Sequence, residues 1–369
     1  MKIPFNFNPK YTITNKMASA LLALEGLKER IDHLPITPSV LASLRQTARL
    51  SSTHYSTLIE GNRLSDKDVE GVIKENRHFP GRVRDEKEVR GYYRALSEIE
   101  MLSKDNQPLT EKQIQTIHGY VMGSGGKKTE PTPYRDGQNV IKNSLDGTIV
   151  YMPPEAKDVP PLMTAFVDWL KQTTQEIPCP IRAAIAHYQF ATIHPYYDGN
   201  GRTARLVTNL ILHEGGYGLK GIYSLEEYYA LDLQAYYDAI AVGPSHNYYM
   251  GRAEADITGW LEYFIGGMVD AFTKVEEKAK AAENRWETDK SPELRKLDPR
   301  QRKALTLFVQ QHVITSHDVA AQFSFAPRTA RLLLQKWTEQ GFLVIADSSK
   351  KARKYKLAPE FEKLFSKAS

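Results

Sequence analysis

Residues 194–205 read His194-Pro195-Tyr196-Tyr197-Asp198-Gly199-Asn200-Gly201-Arg202-Thr203-Ala204-Arg205, and this stretch decides the predicted fold and site. Pro195 and the Gly199-Asn200-Gly201 turn do not extend a helix comfortably, whereas residues 203–213 carry apolar side chains at helical spacing. The turn therefore opens a helix. Backbone N–H groups at such a junction lack intrahelical acceptors, and glycines let an anion approach closely. The stretch predicts a site that handles phosphate groups.

Two arginines and a histidine in this stretch suit phosphate chemistry. Arg202 and Arg205 lie three residues apart on the predicted helix, so they share a face and can hold one polyphosphate. His194 is the candidate base, because a neutral imidazole can accept a proton from an attacking hydroxyl. The alternative is a histidine that caps a helix or is satisfied in a core.

Asp198 lies at the start of the predicted anion site, where an acid would repel phosphate. A Mg²⁺ ion between the carboxylate and the phosphate oxygens explains this placement, so Asp198 is the candidate metal ligand. The alternative is an aspartate that forms an Asx-turn or caps the helix.

The composition is that of an ordinary globular protein. The chain has 369 residues, enough for two or three domains, with 41% hydrophobic and 25% charged residues. Its one cysteine, Cys179, excludes an internal disulfide framework and a multi-cysteine zinc site. The first sixteen residues lack the apolar core of a signal peptide, and no apolar run is long enough to span a bilayer. We therefore expect a cytoplasmic protein with no membrane partner.

Helical periodicity covers most of the chain. It predicts helices over Lys16–Arg30, Pro38–Ile59, Lys67–Lys74, Asp85–Met101, Thr110–Met122, Val159–Gln172, Pro180–Ala191, Thr203–Glu214, Leu225–Val242 and Ile257–Asn284. Two short β-branched runs, residues 139–142 and 148–151, flank a turn and predict a hairpin. A lone two-stranded ribbon is only marginally stable, so it is expected to cover a site rather than build a core.

The C-terminal part differs in charge and pattern. Residues 290–369 hold sixteen Lys or Arg against seven Asp or Glu, so the net charge of this segment is +9. Because the whole chain has a net charge of +5, the residues before it sum to −4. Helices over Arg300–Gln311, Val319–Phe323 and Arg328–Gln340, then strands at 342–345 and 352–357, outline a winged helix-turn-helix. The predicted fold class is mainly α, with a β-hairpin flap and this C-terminal module.

The twelve-residue stretch resembles the signature of the Fic (filamentation induced by cAMP) family, His-Pro-Phe-x-Asp/Glu-Gly-Asn-Gly-Arg-x-x-Arg, and only Tyr196 departs from it. The resemblance implies transfer of AMP from ATP to a Tyr, Thr or Ser hydroxyl of a target protein, with self-modification or removal of AMP as further outcomes. It implies that His194 is the base and that Asp198 holds Mg²⁺. The ATP and phosphate contacts would come from Asp198, Gly199, Asn200, Gly201, Arg202, Thr203, Ala204 and Arg205.

Further positions extend the resemblance. The hairpin resembles the family's flap, which holds the target segment by strand-like pairing, with Ile141 facing nucleotide or target. Tyr237 matches a position where a tyrosine packs near adenine, although helix tyrosines are more often core residues. Glycine at position 201 resembles the AMP-transferring branch, because Doc-type relatives that transfer phosphate carry lysine there.

Residues 56–61 read Ser-Thr-Leu-Ile-Glu-Gly and resemble the family's inhibitory motif, Ser/Thr-x-x-x-Glu-Gly/Asn. On a helix, Ser56 and Glu60 are one turn apart and share a face. The resemblance implies that Glu60 pairs with Arg205 and keeps the γ-phosphate from settling productively. Seen alone, the segment is simply a helix that ends at glycine.

The predicted domains are an N-terminal helical region at 1–90 with the inhibitory helix, a Fic catalytic core at 91–284 with its flap at 139–151, a linker at 285–298, and a winged helix-turn-helix at 299–369. The predicted function is an autoinhibited protein adenylyltransferase. The basic C-terminal module suits DNA, but such modules also serve protein contacts and homodimers. Two alternatives stay open: a DNA-binding transcriptional regulator with a nucleotide-sensing Fic-like core, and transfer of a different phosphate-containing group.

Overall fold

The computed structural model describes residues 7–34, 36, 38–103, 108–123, 129–142, 147–243, 245–288, 296–309, 311–323, 325–347, 349 and 353–366. The chain divides into two compact units. Unit 1 comprises residues 1–29 and 47–274, and unit 2 comprises residues 30–46 and 275–369. Among the described helices, none joins the length of a bilayer crossing to the apolar character it requires.

The N-terminal helices follow the predicted periodicity. They are α1 (Asn15–His33), α2 (Pro38–Ile59), α3 (Asp66–Lys74), α4 (Val83–Leu102) and α5 (Glu111–Met122). The structure confirms Thr110 as the N-cap of α5, where its hydroxyl accepts from the Gln113 N–H. The end of α2 before Gly61 is also confirmed, since Gly61 takes a left-handed φ of 87°.

The hairpin and the helices of the predicted core come next. Strands β1 (Ile141–Lys142) and β2 (Ile149–Tyr151) pair antiparallel, with Ile141 opposite Tyr151. The turn at 143–146 lies outside the described residues. Helices α6 (Val159–Gln172), α7 (Cys179–Ile193) and α8 (Asn200–Glu214) follow, then α9 (Leu225–Leu231), α10 (Leu233–Ile240) and α11 (Thr258–Thr288).

Helices α7 and α8 form the centre of unit 1. Residues 180–190 of α7 and 202–212 of α8 are all buried. A helix that is buried all round needs partners on every side. Helix α8 packs against α7, α4 and α5, and α7 packs against α6. The short loop that joins α7 to α8 is therefore held at each end by a buried helix.

One predicted helix of unit 1 was wrong. The periodicity predicts a single helix over Leu225–Val242, but the structure breaks it at Asp232, which has φ −139° and ψ 81°. The Asp232 carboxylate accepts from the Ala235 N–H at 3.0 Å and so caps α10. Aspartate is a strong N-cap and a weak helix former, so local capping outweighs the apolar spacing that continues through it.

Unit 2 contains short helices and a two-stranded ribbon after α11. Helix α12 (Pro299–Ala304) begins at a capping box of Asp298 and Gln301, and a 3₁₀ turn at Leu305–Val309 replaces the second half of the predicted Arg300–Gln311 helix. Helices α13 (Ser316–Phe323) and α14 (Pro327–Glu339), strands β3 (Leu343–Asp347) and β4 (Lys354–Leu357), and α15 (Pro359–Ser366) complete it.

Trp337 and Phe342 are fully buried at the centre of the unit 2 core, together with Leu334 of α14 and Phe361 of α15. Ile314 adds one antiparallel bridge to Tyr355 of β4. The order of helices and strands follows the predicted outline, and its assignment as a winged helix stays a prediction. Of the predicted linker 285–298, residues 285–288 belong to α11 and residues 289–295 lie outside the described residues.

Candidate active site

The loop between α7 and α8 begins and ends in the left-handed backbone region. His194 follows α7 with φ 51° and ψ 60°. Gly199 precedes α8 with φ 78°. A Cβ at Gly199 would lie 2.9 Å from Met122 Sδ and 3.1 Å from His118 Nε2, so this position needs glycine. A left-handed residue other than glycine, such as His194, stores backbone strain that surrounding contacts must hold.

Two side chains hold this loop in place. Asn200 donates to the Tyr196 carbonyl at 2.7 Å and accepts from the Tyr196 N–H at 3.0 Å. The His118 ring stacks on Tyr196 with centroids 3.5 Å apart, and its Nε2 lies 2.9 Å from the Asp198 carbonyl. Burial lowers the pKa of His118 to about 4. The ring is therefore neutral near neutral pH, and Nε2 carries the proton because a carbonyl only accepts.

Tyr196, the one residue that departs from the family signature, supports the loop through the packing of its ring. The ring contacts Tyr134 and Phe190 besides His118. Its hydroxyl is buried and has no hydrogen-bond partner among the described residues. Phenylalanine would supply the same packing, so the substitution leaves the architecture of the loop unchanged.

Arg135 fastens the loop to the base of the hairpin. It is only 3% exposed, and its guanidinium donates to the carbonyls of His194 and Gly137, each at 3.0 Å, and to that of Pro154. Its backbone N–H donates to the Pro195 carbonyl at 2.9 Å. Burial lowers the pKa of Arg135. One cation thus satisfies three carbonyl groups around the strained His194 backbone.

His194 presents one ring nitrogen as an acceptor. Its Nδ1 lies 3.3 Å from the Ala191 carbonyl, so Nδ1 carries the proton and Nε2 keeps its lone pair. Burial lowers the pKa of His194 to about 4, against the opposing effect of the nearby Glu60 and Asp198 charges. The imidazole is therefore a neutral base at neutral pH.

The N-terminus of α8 offers backbone donors for an anion. The Thr203 N–H donates to the Gly199 carbonyl at 3.0 Å, so the N–H groups of Asn200, Gly201 and Arg202 precede the first intrahelical hydrogen bond. A Cβ at Gly201 would overlap Glu60 Oε1. A carboxylate therefore lies against this helix end, in the space that glycine leaves open.

Arg205 holds that carboxylate. The guanidinium donates from Nη2 to Glu60 Oε1 at 2.8 Å and to the Ser56 carbonyl at 2.9 Å, and from Nε to Ser56 Oγ at 2.8 Å. Burial by itself lowers the pKa of Arg205, but the adjacent Glu60 carboxylate outweighs burial and the pKa is raised. Arg205 Nη1 is buried and has no partner among the described residues. The structure thus brings together the three residues that the inhibitory motif predicts.

Arg202 lies between two other carboxylates. Its side chain is 1% exposed, with Nη2 3.0 Å from Asp198 Oδ1 and Nη1 3.6 Å from Glu88 Oε1. Glu88 also accepts from Arg84 Nε at 3.0 Å and from Asn62 Nδ2 at 3.1 Å. The buried charge of Arg202 is therefore balanced, and its guanidinium is held toward Asp198.

Asp198 has the environment of a carboxylate that can share a cation with a ligand. Its side chain is 47% exposed, and Oδ1 accepts from the Gly199 N–H at 2.6 Å. Its Oδ2 lies 3.8 Å from Arg84 Nη2. No group of three or more potential metal ligands occurs among the described residues. Mg²⁺ is commonly held by one or two carboxylates together with substrate phosphates and water, so this donor set fits an ion bound with a nucleotide.

The hairpin is hydrogen-bonded to α7. Tyr151 is buried and its hydroxyl donates to the Thr192 carbonyl at 2.8 Å. Directly after β2, the Met152 N–H donates to the His246 carbonyl at 2.7 Å. Ile141, the residue predicted to face nucleotide or target, is half-buried opposite Tyr151.

Three other predicted contact residues have different surroundings. Tyr237 is 45% exposed and its hydroxyl donates to the Ile59 carbonyl at 3.2 Å, beside the segment that carries Glu60. Thr203 and Ala204 are fully buried inside α8. A contact of these three residues with ATP stays a prediction.

Sequence reasoning missed several residues that shape the site. His118 and Arg135 hold the loop, and Glu88 and Arg84 balance the charges of Arg202 and Asp198. His118 and Arg135 lie 80 and 59 positions before the residues whose carbonyls they reach. The only local sign was the position of Arg135 just before the flap.

Part of this chain is similar to proteins of one known family. The model of the Fic/DOC family matches residues 108–212. The protein adenylyltransferase fic-1 of Caenorhabditis elegans is 31% identical over 216 residues, which are 57% of this chain and 41% of the relative. The protein adenylyltransferase Fic of Nematostella vectensis is 31% identical over 200 residues, 53% of this chain and 45% of the relative. The chain spans less than half the length of these curated relatives.

Solved structures agree on the fold. A Fic family protein from Desulfovibrio desulfuricans matches with a TM-score of 0.59 at 24% identity, over 96% of this chain and 99% of that one. Fic-1 from C. elegans matches with a TM-score of 0.54 at 23% identity, over 71% of each chain. These matches confirm the predicted mainly helical, Fic-type fold. Residues 108–212, which hold the loop, α7 and most of α8, are the part of this chain that matches the Fic/DOC family model.

Proposed function

We propose that this protein is an autoinhibited protein adenylyltransferase that transfers AMP from ATP to a hydroxyl side chain of a protein. The observation that carries the proposal is the placement of His194 Nε2, a free acceptor, at the loop that leads into the N–H groups of α8 and the buried Arg202 and Arg205. A base that faces a hydroxyl is needed for transfer and not for nucleotide sensing alone. The names of the curated relatives support the same activity.

The reaction is a displacement at the α-phosphorus of ATP. His194 Nε2 accepts the proton of the target hydroxyl as its oxygen forms the bond to phosphorus. The bond from the α-phosphorus to the bridging oxygen breaks, and pyrophosphate leaves with the electron pair. His194 is suited to this step because its Nδ1–H is held by the Ala191 carbonyl, which keeps Nε2 as the acceptor.

Fixed positive groups stabilise the charge that develops on the phosphate oxygens. The N–H groups of residues 200–202 and the guanidinium of Arg202 already have their positions before ATP arrives, so little reorganisation is needed. Arg205 Nη1 is the unsatisfied donor through which the γ-phosphate would be held.

Asp198 would hold Mg²⁺ against the phosphates. When bound, the ion neutralises phosphate charge and orients the α- and β-phosphates. The carboxylate fits this role because it is half exposed and is oriented by Gly199 and Arg202.

The flap would hold the target segment beside the phosphates. A strand added along the hairpin would place its hydroxyl side chain toward His194, with Ile141 in contact with it. The target could be another protein or this chain itself.

Glu60 would act as the brake. Its carboxylate lies against the N-terminus of α8 and pairs with Arg205, where it competes with the γ-phosphate for the same guanidinium. It also repels the phosphate that would replace it. Release of Glu60 is then required before ATP can bind in the reactive position.

The proposed activity is tested by intact-mass measurement after incubation with Mg²⁺ and each nucleoside triphosphate in turn. We expect the mass of one or more AMP groups on the protein with ATP, and more of it on the Glu60→Gly variant. His194→Ala is the control and should gain no mass. Addition of a different phosphate-containing group would replace the proposed reaction, and no adduct from any donor with either active form would contradict it.

We further propose that unit 2 contacts DNA phosphates through a basic face. Six basic side chains on α14 and at β4 are exposed and have no ion-pair partner among the described residues: Arg328, Arg331, Lys336, Arg353, Lys354 and Lys356. Such a row matches the charge of a nucleic-acid backbone. Lys350 and Lys351, which the sequence adds to this face, lie outside the described residues.

Gel retardation of duplex DNA at several salt concentrations tests this surface. We expect binding by the full chain that weakens with salt, and a salt slope smaller by about one per lost contact in the Arg328→Ala and Lys354→Ala variants. Lys296→Ala is the matched control, because Lys296 already pairs with Glu360. If DNA is not retarded even at low salt, the basic face serves protein contact instead, and sedimentation would then show whether it forms a homodimer.

A further inference from the structure

Glu226 is a buried acid that the proposed reaction does not use. It lies in the first turn of α9, is 1% exposed and has no ion-pair partner among the described residues. Four neutral donors surround it at 2.9 Å: Ser52 Oγ, Tyr92 OH, Asn209 Nδ2 and Ser224 Oγ. These five residues are called the Glu226 cluster. Burial of a carboxylate costs free energy unless its oxygens accept hydrogen bonds, and four donors occupy the acceptor sites of both oxygens.

The Glu226 cluster connects α2, the helix that precedes Glu60, to the helices of the predicted catalytic core. Ser52 belongs to α2, Tyr92 to α4 and Asn209 to α8, so one carboxylate ties three helices together. Ser52 lies one turn before Ser56 on α2, so both hydroxyls lie on the face turned toward the core. Ser52 is 4% exposed and Ser56 is fully buried.

Tyr92 of the Glu226 cluster also lies near the residues that hold Arg205. Arg205 Nε donates to Ser56 Oγ at 2.8 Å. The Tyr92 hydroxyl donates to Glu226 Oε1 at 2.9 Å and lies near Ser56 and Arg205, which both act to lower its pKa. Burial and then Glu226 raise the pKa of Tyr92, so this hydroxyl keeps its proton and its role as a donor. Ser56, which holds Arg205, and Tyr92, which holds Glu226, are therefore neighbours.

We propose that Glu226 is the positioning residue of the Glu60 brake: it fixes Ser52, one turn before Ser56, and so sets the register of α2 against Arg205. This inference rests on the proposed function, because it concerns the same inhibitory contact. Glu60 directly follows the last residue of α2 and its side chain is 27% exposed, so its contact with Arg205 depends on how firmly the preceding helical turn is held. Loss of the Glu226 contacts lets the end of α2 move away from α8.

The test compares Ser52→Ala and Glu226→Gln, each made with Glu60 present and in the Glu60→Gly variant. Ser52→Ala removes only the contact to α2 and leaves three donors on Glu226. Glu226→Gln keeps the size and one acceptor, and the serine hydroxyls can turn to accept from its amide. Ser51→Ala is the matched control, since Ser51 precedes Ser52 and is not a donor to Glu226. The readouts are incorporation of labelled AMP and hydrogen exchange of residues 52–60 in the full chain.

With Glu60 present, we expect Ser52→Ala and Glu226→Gln to raise incorporation about fivefold and to speed exchange at 52–60 about tenfold. In the Glu60→Gly variant they should add nothing to incorporation, because the brake is already gone. A merely structural role would change incorporation equally in both backgrounds.

Two outcomes overturn the inference. One is incorporation that stays at the wild-type level in Ser52→Ala and Glu226→Gln while Glu60→Gly raises it. The other is incorporation that falls by the same factor with and without Glu60. If Glu60→Gly itself has no effect, the proposed brake fails and this inference fails with it; faster exchange at 52–60 would then show only that the Glu226 contacts hold α2.

Discussion

Replacement of Glu60 by glycine is expected to raise modification by labelled ATP roughly 10- to 100-fold, the effect of one charge-assisted hydrogen bond. The carboxylate now holds Arg205 Nη2 at 2.8 Å and lies against Gly201, where an incoming phosphate needs the same donors. Without it, both Arg205 and the helix N-terminus are free to bind phosphate. Incorporation of the label into the protein, followed over time at fixed ATP and Mg²⁺, measures the change.

Glu60→Gln separates charge from shape. Glutamine can still accept from Arg205 but does not repel phosphate, so we expect an intermediate rate. Glu60→Gly should also lower the melting temperature in the absence of ATP, because it leaves Arg205 buried without its anion. ATP with Mg²⁺ should restore that loss by binding the folded state. ATP binding that is unchanged from wild type, together with an unchanged rate, would show that Glu60 is not a brake.

The pair behind this prediction could be read from the sequence because both halves are local patterns. The spacing of Ser56 and Glu60 places them on one helix face, and the stretch around Arg205 forms a loop followed by a helix. The geometry of the contact between Glu60 and Arg205 could not be predicted from the sequence. Arg205 also holds the carbonyl of Ser56, and Gly201 makes room for the carboxylate, which are consequences of how α2 packs on α8.

The helices were predictable where apolar spacing and caps agree, as at Thr110 and Gly61. The prediction failed at Asp232, where one capping side chain interrupts a continuous apolar pattern. The supports of the site were not predictable either. Arg135 and Glu226 reach partners 59 to 174 residues away, and no short pattern in the chain encodes such contacts.

Replacement of His194 by alanine is expected to lower AMP incorporation about 10²- to 10⁴-fold in the Glu60→Gly variant, the usual loss when a general base is removed. Nucleotide binding should persist, because the N–H groups of residues 200–202, Arg202 and Arg205 are untouched. Binding of ATP measured by calorimetry, beside incorporation of the label, separates the two effects. A variant that still transfers AMP at the parental rate would assign the base to another group.

The pH dependence gives a second measurement of the same base, one that a folding defect cannot imitate. Burial lowers the pKa of His194 to about 4 from its ordinary value of 6.5, so the neutral, reactive form is present throughout the range above about 5. The kcat/KM of the Glu60→Gly variant should therefore stay level as the pH falls through 6.5 and decline only toward 4, where the imidazole becomes protonated. An acid limb centred at 6.5 would mean that His194 is solvated before the reaction, and that its burial does not keep the base ready for the target hydroxyl.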